Sequence, residues 1–304
     1  MQNILSLDQV VKDYEQHRAV DHVSFDVPKG SIFGLLGPNG AGKTSLIRII
    51  TTITRADSGR ILLDGEPINA ETPHEIGYMP EERGLYKKMK VGEQLMYLAQ
   101  LKGMTKEQAR TNLKYWFDKF DIADWWTKKV DELSKGMQQK IQFIATVVHR
   151  PKLLILDEPF SGLDPVNTNL IKDELDELHR NGTSIIFSTH RMEQVEEVCE
   201  HIVLINGGKK ILEGRVDAVK QQFKDHRYRI EYTGTLPPNL RALDAADDSY
   251  EILEMTDRQM LVQVADDRAS NEVLRQLIQH DVHITAFQEI LPTLNEIFIK
   301  QVQP

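Results

Sequence analysis

The chain has 304 residues, enough for one large core or two of unequal size, and its 40% apolar and 27% charged content is that of an ordinary soluble protein. Its formal net charge of −9 argues against a nucleic-acid binder, which usually carries a basic surface. No window reaches the roughly eighteen consecutive apolar residues of a membrane span, and no secretion signal precedes the first strand, so we expect a cytoplasmic protein. The single cysteine, Cys199, lies in an apolar helical pattern and is expected to be buried.

The N-terminal residues predict a small antiparallel sheet. Residues 4–11 and 23–27 alternate apolar and polar side chains as strands do, and a loop over residues 13–18 is expected between them. Tyr14 falls in that loop. Its ring can stack on a purine base or simply pack half-buried, and the residues themselves favour neither.

Residues 37–44 read G-P-N-G-A-G-K-T, a complete match to the phosphate-binding pattern G-x-x-x-x-G-K-[ST]. An apolar strand over residues 31–36 and a helix over residues 44–53 flank them in the order that the pattern requires. The glycines allow backbone angles at which consecutive N–H groups turn toward the α- and β-phosphates. Lys43 can then reach the β- and γ-phosphates, and the Thr44 hydroxyl can bind Mg²⁺.

The alternative is a glycine-rich turn that merely connects the strand to the helix. That alternative does not explain why Lys43 and Thr44 occupy the two positions that the phosphate-binding pattern specifies. We therefore predict a site for a nucleoside triphosphate and its Mg²⁺. It is formed by Gly37, Pro38, Asn39, Gly40, Ala41, Gly42, Lys43, Thr44 and Ser45.

An inserted layer of helices is predicted between residues 81 and 150, after two short strands. A capping box, Thr105 with Gln108 three residues later, defines the start of its second helix. The three helices of the layer are expected over residues 91–101, 106–120 and 137–149.

Residues 153–157, L-L-I-L-D, read as a parallel strand buried on both faces that ends in Asp157 and Glu158. Ligands of α/β proteins bind at that end of the sheet. Asp157 can hold Mg²⁺ there, and Glu158 can orient or deprotonate an attacking water. The alternative is a pair of carboxylates at an exposed strand end. A second buried strand, over residues 183–189, brings His190 to the same edge, where it can donate a hydrogen bond to a γ-phosphate.

From about residue 223 the pattern starts again and predicts a small separate α+β domain. Its order, β-α-β-β-α-β followed by a last helix, is that of a ferredoxin-like domain, and a regulatory or dimerising role is expected. The strands are predicted over residues 228–233, 250–255, 260–265 and 282–290, and the helices over residues 238–245, 269–280 and 294–301.

With these motifs in sequence, residues 1–222 resemble the nucleotide-binding subunits of ABC transporters. Residues 133–139, L-S-K-G-M-Q-Q, carry most of the resemblance, because they look like the family signature LSGGQ and stand about twenty residues before the buried strand at residues 153–157. The resemblance implies a P-loop NTPase core of the α/β class. An antiparallel β-subdomain and a helical subdomain over about residues 81–150 would complete it.

The resemblance also implies a role for single residues. Tyr14 is similar to the adenine-stacking aromatic residue, Glu158 to the catalytic base, His190 to the switch histidine and Asp164 to the aspartate of the D-loop. In the family the signature faces the γ-phosphate bound to a second subunit. Here that set is Ser134, Lys135, Gly136 and Met137, with lysine and methionine in place of a glycine and a glutamine.

Glu81 stands where the family has the glutamine of its Q-loop. A carboxylate there can accept a hydrogen bond from water or bind Mg²⁺, but it cannot donate as an amide does. The proposed metal ligands are therefore Thr44, Asp157 and Glu81.

The function implied is ATP hydrolysis between two such subunits, most simply a homodimer, that drives separate integral-membrane permease subunits from the inner face of the cell membrane. Residues 80–86, P-E-E-R-G-L-Y, and the added C-terminal domain look most like ATPases of type-2 exporters, the sodium- and drug-efflux group. A soluble regulatory ATPase whose C-terminal domain senses an effector is the alternative. The basic residues 86–90 either lie near the membrane or form a plain solvated charge run.

Overall fold

The computed structural model describes residues 2–15, 17–82, 84–161, 163–234, 236, 250–266 and 269–302. It divides into two compact units, Met1–Val216 and Asp217–Pro304. In the part of the chain that is described, no helix combines the length and the apolar character needed to cross a membrane.

The first unit contains ten strands and seven α-helices within its described residues. In chain order they are β1 (Asn3–Tyr14), β2 (His17–Pro28), β3 (Ile32–Leu36), α1 (Lys43–Ile50), β4 (Ser58–Leu63), β5 (Glu66–Pro67), α2 (Thr72–Glu75), β6 (Ile76–Met79), α3 (Val91–Leu101), α4 (Lys106–Lys119), α5 (Lys135–Val147), β7 (Leu153–Asp157), α6 (Pro165–Arg180), β8 (Ser184–Thr189), α7 (Met192–Val198), β9 (His201–Asn206) and β10 (Lys209–Arg215).

An antiparallel sheet in the order β2-β1-β4-β5 forms the β-subdomain. The loop predicted over residues 13–18 is wrong, because β1 runs to Tyr14 and β2 starts at His17. Both strands carry a residue with positive φ, Gln9 at 50° and His22 at 51°, and the register shifts there. These irregularities interrupt the two-residue alternation and make the strands look shorter in the sequence.

The central sheet has the order β10-β9-β3-β8-β7-β6 and is parallel except for β10. Every residue of β3, β7 and β8 is buried, as their continuous apolar runs predict. Since parallel strands end at one edge, the residues that follow these three strands meet there. A core of apolar side chains fills the space between this sheet, α1 and the β-subdomain.

Helices α3, α4 and α5 form the predicted helical layer. The capping box of α4 is confirmed, because Thr105 Oγ1 accepts from the Gln108 N–H at 3.2 Å and Gln108 Oε1 accepts from the Thr105 N–H at 2.9 Å. Cys199 is buried as expected but directly follows α7 instead of lying on it, and burial raises the pKa of its thiol.

The described residues of the second unit form one antiparallel sheet with its own core, in which Ile230 and Val262 are fully buried. The sheet order is β12-β13-β11-β14. The helix predicted over residues 238–245 lies outside the described residues. The elements are α8 (Val216–Gln222), β11 (Arg227–Thr233), β12 (Tyr250–Met255), β13 (Gln259–Val264), α9 (Ala269–Gln279), β14 (His283–Ile290) and α10 (Leu294–Val302).

Candidate nucleotide site

The loop between β3 and α1 has a shape that requires glycine at two positions. A Cβ on Gly37 would lie 2.1 Å from the carbonyl oxygen of Ile205, and one on Gly42 would lie 2.3 Å from that of Ala19. The Gly208 N–H donates to Ala41 O at 3.0 Å, so the β9–β10 turn supports the loop from behind. The loop ends at the N-terminus of α1, whose free N–H groups attract anions.

Lys43 is buried, and its ammonium group points back into this loop. Its Nζ donates to Gly37 O at 2.6 Å and to Pro38 O at 3.1 Å. Burial lowers the pKa of Lys43, while the carboxylates of Asp157 and Glu158 act in the opposite direction. A buried ammonium that is bonded only to carbonyl oxygens fits an anion such as a phosphate.

Asp157 is the last residue of β7 and is 6% exposed. Ser188, its register partner on β8, donates its hydroxyl to Asp157 Oδ1 at 2.8 Å. Burial raises the pKa of Asp157, the Ser188 hydrogen bond opposes the rise, and the Glu158 charge adds to it. An oxygen ligand in such surroundings suits a hard divalent cation.

Glu158 follows directly, with a positive φ of 50° that turns its side chain toward the end of β8. Oε1 accepts from the His190 N–H at 2.8 Å and lies 2.6 Å from His190 Nδ1. Oε2 accepts from the Thr189 hydroxyl at 3.0 Å. The carboxylate is therefore held at both oxygens, while nearly half of the His190 side chain remains exposed.

A cavity of about 290 Å³ brings most of the predicted residues together. Gly37 and Pro38 precede the lining residue Asn39, and His190 contacts the lining residue Glu158, but these three do not line the cavity. Tyr14, which is 40% exposed, lines it from the end of β1. The lining residues are Tyr14, His17, Ala19, Asn39, Gly40, Ala41, Gly42, Lys43, Thr44, Ser45, Glu81, Asp157 and Glu158.

The signature residues lie at the start of α5 and do not line this cavity. Ser134 is the N-cap, and its Oγ accepts from the Met137 N–H at 3.3 Å. A Cβ on Gly136 would meet Asn167 Nδ2 at an ordinary 3.5 Å, so packing within the chain does not require glycine there. Asp164 is the N-cap of α6, where Oδ1 accepts from the Asn167 N–H at 2.9 Å.

Four residues of the site were missed by the sequence reasoning. Ser188 and Thr189 hold the two carboxylates, and His17 and Ala19 line the cavity. Ser188 and Thr189 could have been found, because they are the hydroxyl residues at the end of the strand that precedes His190. His17 had no such signal, since the turn that places it was predicted as a loop.

Two family models match the chain. The model for the ABC transporter family matches residues 20–161, and the model described as the C-terminal domain of ATP-binding proteins like DrrA1-3 matches residues 214–302. Within the solved structures, the chain is similar to an ATP-binding subunit of an ABC transporter, with a TM-score of 0.68 and 28% identity over 72% of this chain and 93% of that one.

Similar proteins of known sequence are also named as ATP-binding proteins of transport systems. The uncharacterized ABC transporter ATP-binding protein YhaQ of Bacillus subtilis is 44% identical over 98% of both chains. The Nod factor export ATP-binding protein I of Burkholderia pseudomallei is 37% identical over 69% of this chain and 70% of that protein. With a phosphate loop, two carboxylates and a signature helix in the expected order, the chain belongs to the ATP-binding subunits of ABC transporters and is an ATPase of that family.

Proposed function

We propose that this subunit hydrolyses ATP with Glu158 as the general base and thereby powers export through a separate permease. The observation that carries the proposal is the anchoring of Glu158 at both oxygens, in the same cavity as the phosphate loop and Lys43. A base held in one orientation can take the proton of a water that attacks the γ-phosphate. His190 is proposed to steady that carboxylate and to contact the γ-phosphate.

The remaining residues of the cavity are assigned to binding. The loop N–H groups and Lys43 would hold the phosphates, and Tyr14 would stack on the adenine. Thr44 and Asp157, with Glu81 beside them, offer the oxygen ligands that Mg²⁺ prefers. When bound, Mg²⁺ would neutralise charge on the phosphates, which would supply its other ligands.

The signature supports action between two copies. Ser134 and Gly136 lie at a helix N-terminus, an anion-binding position, yet away from the cavity of their own chain. In a homodimer this end of α5 would face the nucleotide of the partner. Asp164 would lie at the same interface.

Export is the direction favoured by the relatives. One of them is named for Nod factor export, and the C-terminal match is to a domain of DrrA1-3-like ATP-binding proteins. The permease would dock on the helical layer at the inner face of the cell membrane, with Mg²⁺-ATP as the fuel.

The C-terminal domain, residues 223–304, is proposed to be ferredoxin-like. Its described strands β11, β12, β13 and β14, numbered 1 to 4, are ordered 2-3-1-4, as that fold requires. The interruption of the sequence pattern near residue 222 supports a boundary close to α8.

The test is a pair of substitutions. Glu158→Gln should slow hydrolysis by about two to four orders of magnitude while ATP still binds, because it removes only the base. Lys43→Ala should instead lose ATP binding, which a fluorescent nucleotide titration measures. Glu177→Gln, on the exposed part of α6, is the matched control and should hydrolyse normally. Normal turnover by the Glu158→Gln chain would refute the assignment of the base.

A further inference from the structure

Two buried glutamines on the signature helix α5 reach out of the helical layer. Gln139 and Gln142 are one turn apart, and each is 4% exposed. Gln139 Nε2 donates to the carbonyl oxygen of Pro159 at 3.0 Å, and Gln142 Nε2 donates to that of Pro80 at 2.8 Å. Buried amides of this kind fix the position of what they bind, because losing the partner leaves a polar group unsatisfied.

The two carbonyl groups belong to residues that are next in sequence to Glu81 and Glu158, two of the three carboxylates that line the nucleotide cavity. Pro80 precedes Glu81 and Pro159 follows Glu158, and both carboxylates line the cavity. The Pro80 carbonyl group shares a planar peptide unit with the nitrogen of Glu81, and the ring of Pro159 fixes the φ angle between Glu158 and the Pro159 carbonyl group, so neither carbonyl group moves freely of its glutamate. A shift of either glutamate is therefore transmitted to the amide bonded next to it.

At its other end, α5 begins with the signature, Ser134 to Met137. A regular helix transmits displacement along its axis, because each turn is hydrogen-bonded to the next. The amides and the signature are less than three turns apart on the same helix. One rigid element thus connects the cavity of a chain with the surface that the same chain offers to a partner.

We infer that Gln139 and Gln142 are positioning residues that couple nucleotide at Glu81 and Glu158 to the placement of the signature of the same chain. The inference rests on the proposed function, since it assumes that the signature closes on a partner. It assigns the link between the two glutamates and α5 to these two amides. Neither glutamine lines the nucleotide cavity.

The experiment removes each amide and keeps the length of the side chain. Gln139→Met and Gln142→Met are made separately in a Glu158→Gln chain, where slow hydrolysis preserves the closed pair. Fluorescent-nucleotide titration of the dilute chain should give an affinity within about twofold of the parent. Sedimentation in Mg²⁺-ATP should show dimerisation weakened about tenfold.

Asn112→Leu is the matched control. Asn112 Nδ2 also donates to a main-chain carbonyl oxygen, that of Val148 at 2.9 Å, but within the helical layer. This variant should dimerise like the parent. Dimerisation of both methionine variants at the parental strength would overturn the inference, and so would an equal loss in nucleotide affinity, which would show that the amides only shape their own cavity.

A second measurement separates this inference from the proposed function. If the parent Glu158→Gln chain does not dimerise in Mg²⁺-ATP, the two-subunit mechanism fails, and the inference fails with it. If that chain does dimerise, the methionine variants should also lower kcat about tenfold, with KM for ATP unchanged, in the chain with Glu158 intact. Unchanged kcat would then refute the coupling and leave the two-subunit mechanism standing.

Discussion

Asp157 and Glu158 are neighbours in the chain, yet the fold gives their carboxylates different surroundings. Glu158 accepts from Thr189 and from the backbone of His190, whereas Asp157 accepts from the Ser188 hydroxyl alone among the described donors. Burial is the largest influence on Asp157 and raises its pKa. Without nucleotide, its ionised form is therefore a source of instability that the site tolerates for its chemistry.

Asp157→Asn should stabilise the nucleotide-free chain, increasingly so as the pH rises. A carboxyl group whose folded pKa is raised binds its proton more tightly in the folded state, so stability falls as the pH rises from its ordinary value of 3.8 through the folded value. Asparagine has no proton to lose. Urea unfolding at a series of pH values from about 4 upward should show a stability difference between the two chains that widens as the pH rises. Asp118→Asn, at an exposed position of α4, is the control. A difference in the free energy of unfolding that narrows as the pH rises would contradict a raised pKa of Asp157 in the folded chain.

The residues of the candidate site could be predicted from local motifs, but the contacts between those residues could not. The spacing of Lys43 and Thr44 after the glycines predicts the phosphate loop, since the motif is local. The bond between His190 and Glu158 joins residues 32 positions apart and depends on which strands are neighbours. The sequence predicts that Glu158 and His190 each follow a strand, but it does not predict the hydrogen bond between them.

At the scale of elements, three helix starts have local side-chain caps. Thr105, Ser134 and Asp164 each accept a backbone N–H of the first turn through a side-chain oxygen. Such a signal spans four residues, so the start of α4 could be predicted from Thr105 and Gln108. The helical layer as a whole was predicted with ends correct to within two residues. The β-subdomain was not, because its strands depend on irregular pairing with a distant partner.

Thr105→Ala should lower the free energy of unfolding by about 1 kcal/mol, the usual contribution of an N-cap. The substitution removes the hydroxyl that accepts from the Gln108 N–H. Urea unfolding of the full chain measures the change. Thr111→Ala, at an exposed position within the same helix, should cost nothing, since alanine favours a helix more than threonine does. Equal losses at both positions would show that the cap has no stabilising role.

At the scale of the whole molecule, the chain has two separate hydrophobic cores, one in each unit. Ile155 belongs to the first core and Ile230 to the second, and both side chains are fully buried. The nucleotide cavity is lined entirely by the first unit. The succession of the described strands along the second unit follows from the sequence pattern, but what that unit recognises does not, because its sequence contains no motif of known chemistry.

We expect two thermal transitions in calorimetry, with only one raised by Mg²⁺-ATP, because a ligand stabilises the unit to which it binds. Ile230→Ala should lower the other transition, at a cost of about 2 to 5 kcal/mol for a buried large-to-small change. Ile155→Ala should lower the transition that responds to nucleotide. A single transition that both substitutions shift equally would show that the two cores unfold as one.

Because the β9–β10 turn supports the phosphate loop, the loop itself contributes little to distinguishing ATP from ADP. A loop whose shape is fixed by Ala19, Ile205 and Gly208 is already formed before nucleotide arrives, so little ordering entropy opposes binding. Such a loop would bind the α- and β-phosphates of ATP and of ADP alike. The distinction between the two nucleotides would then fall to the side of the cavity where Glu81 and Glu158 lie next to the carbonyl groups bonded to α5.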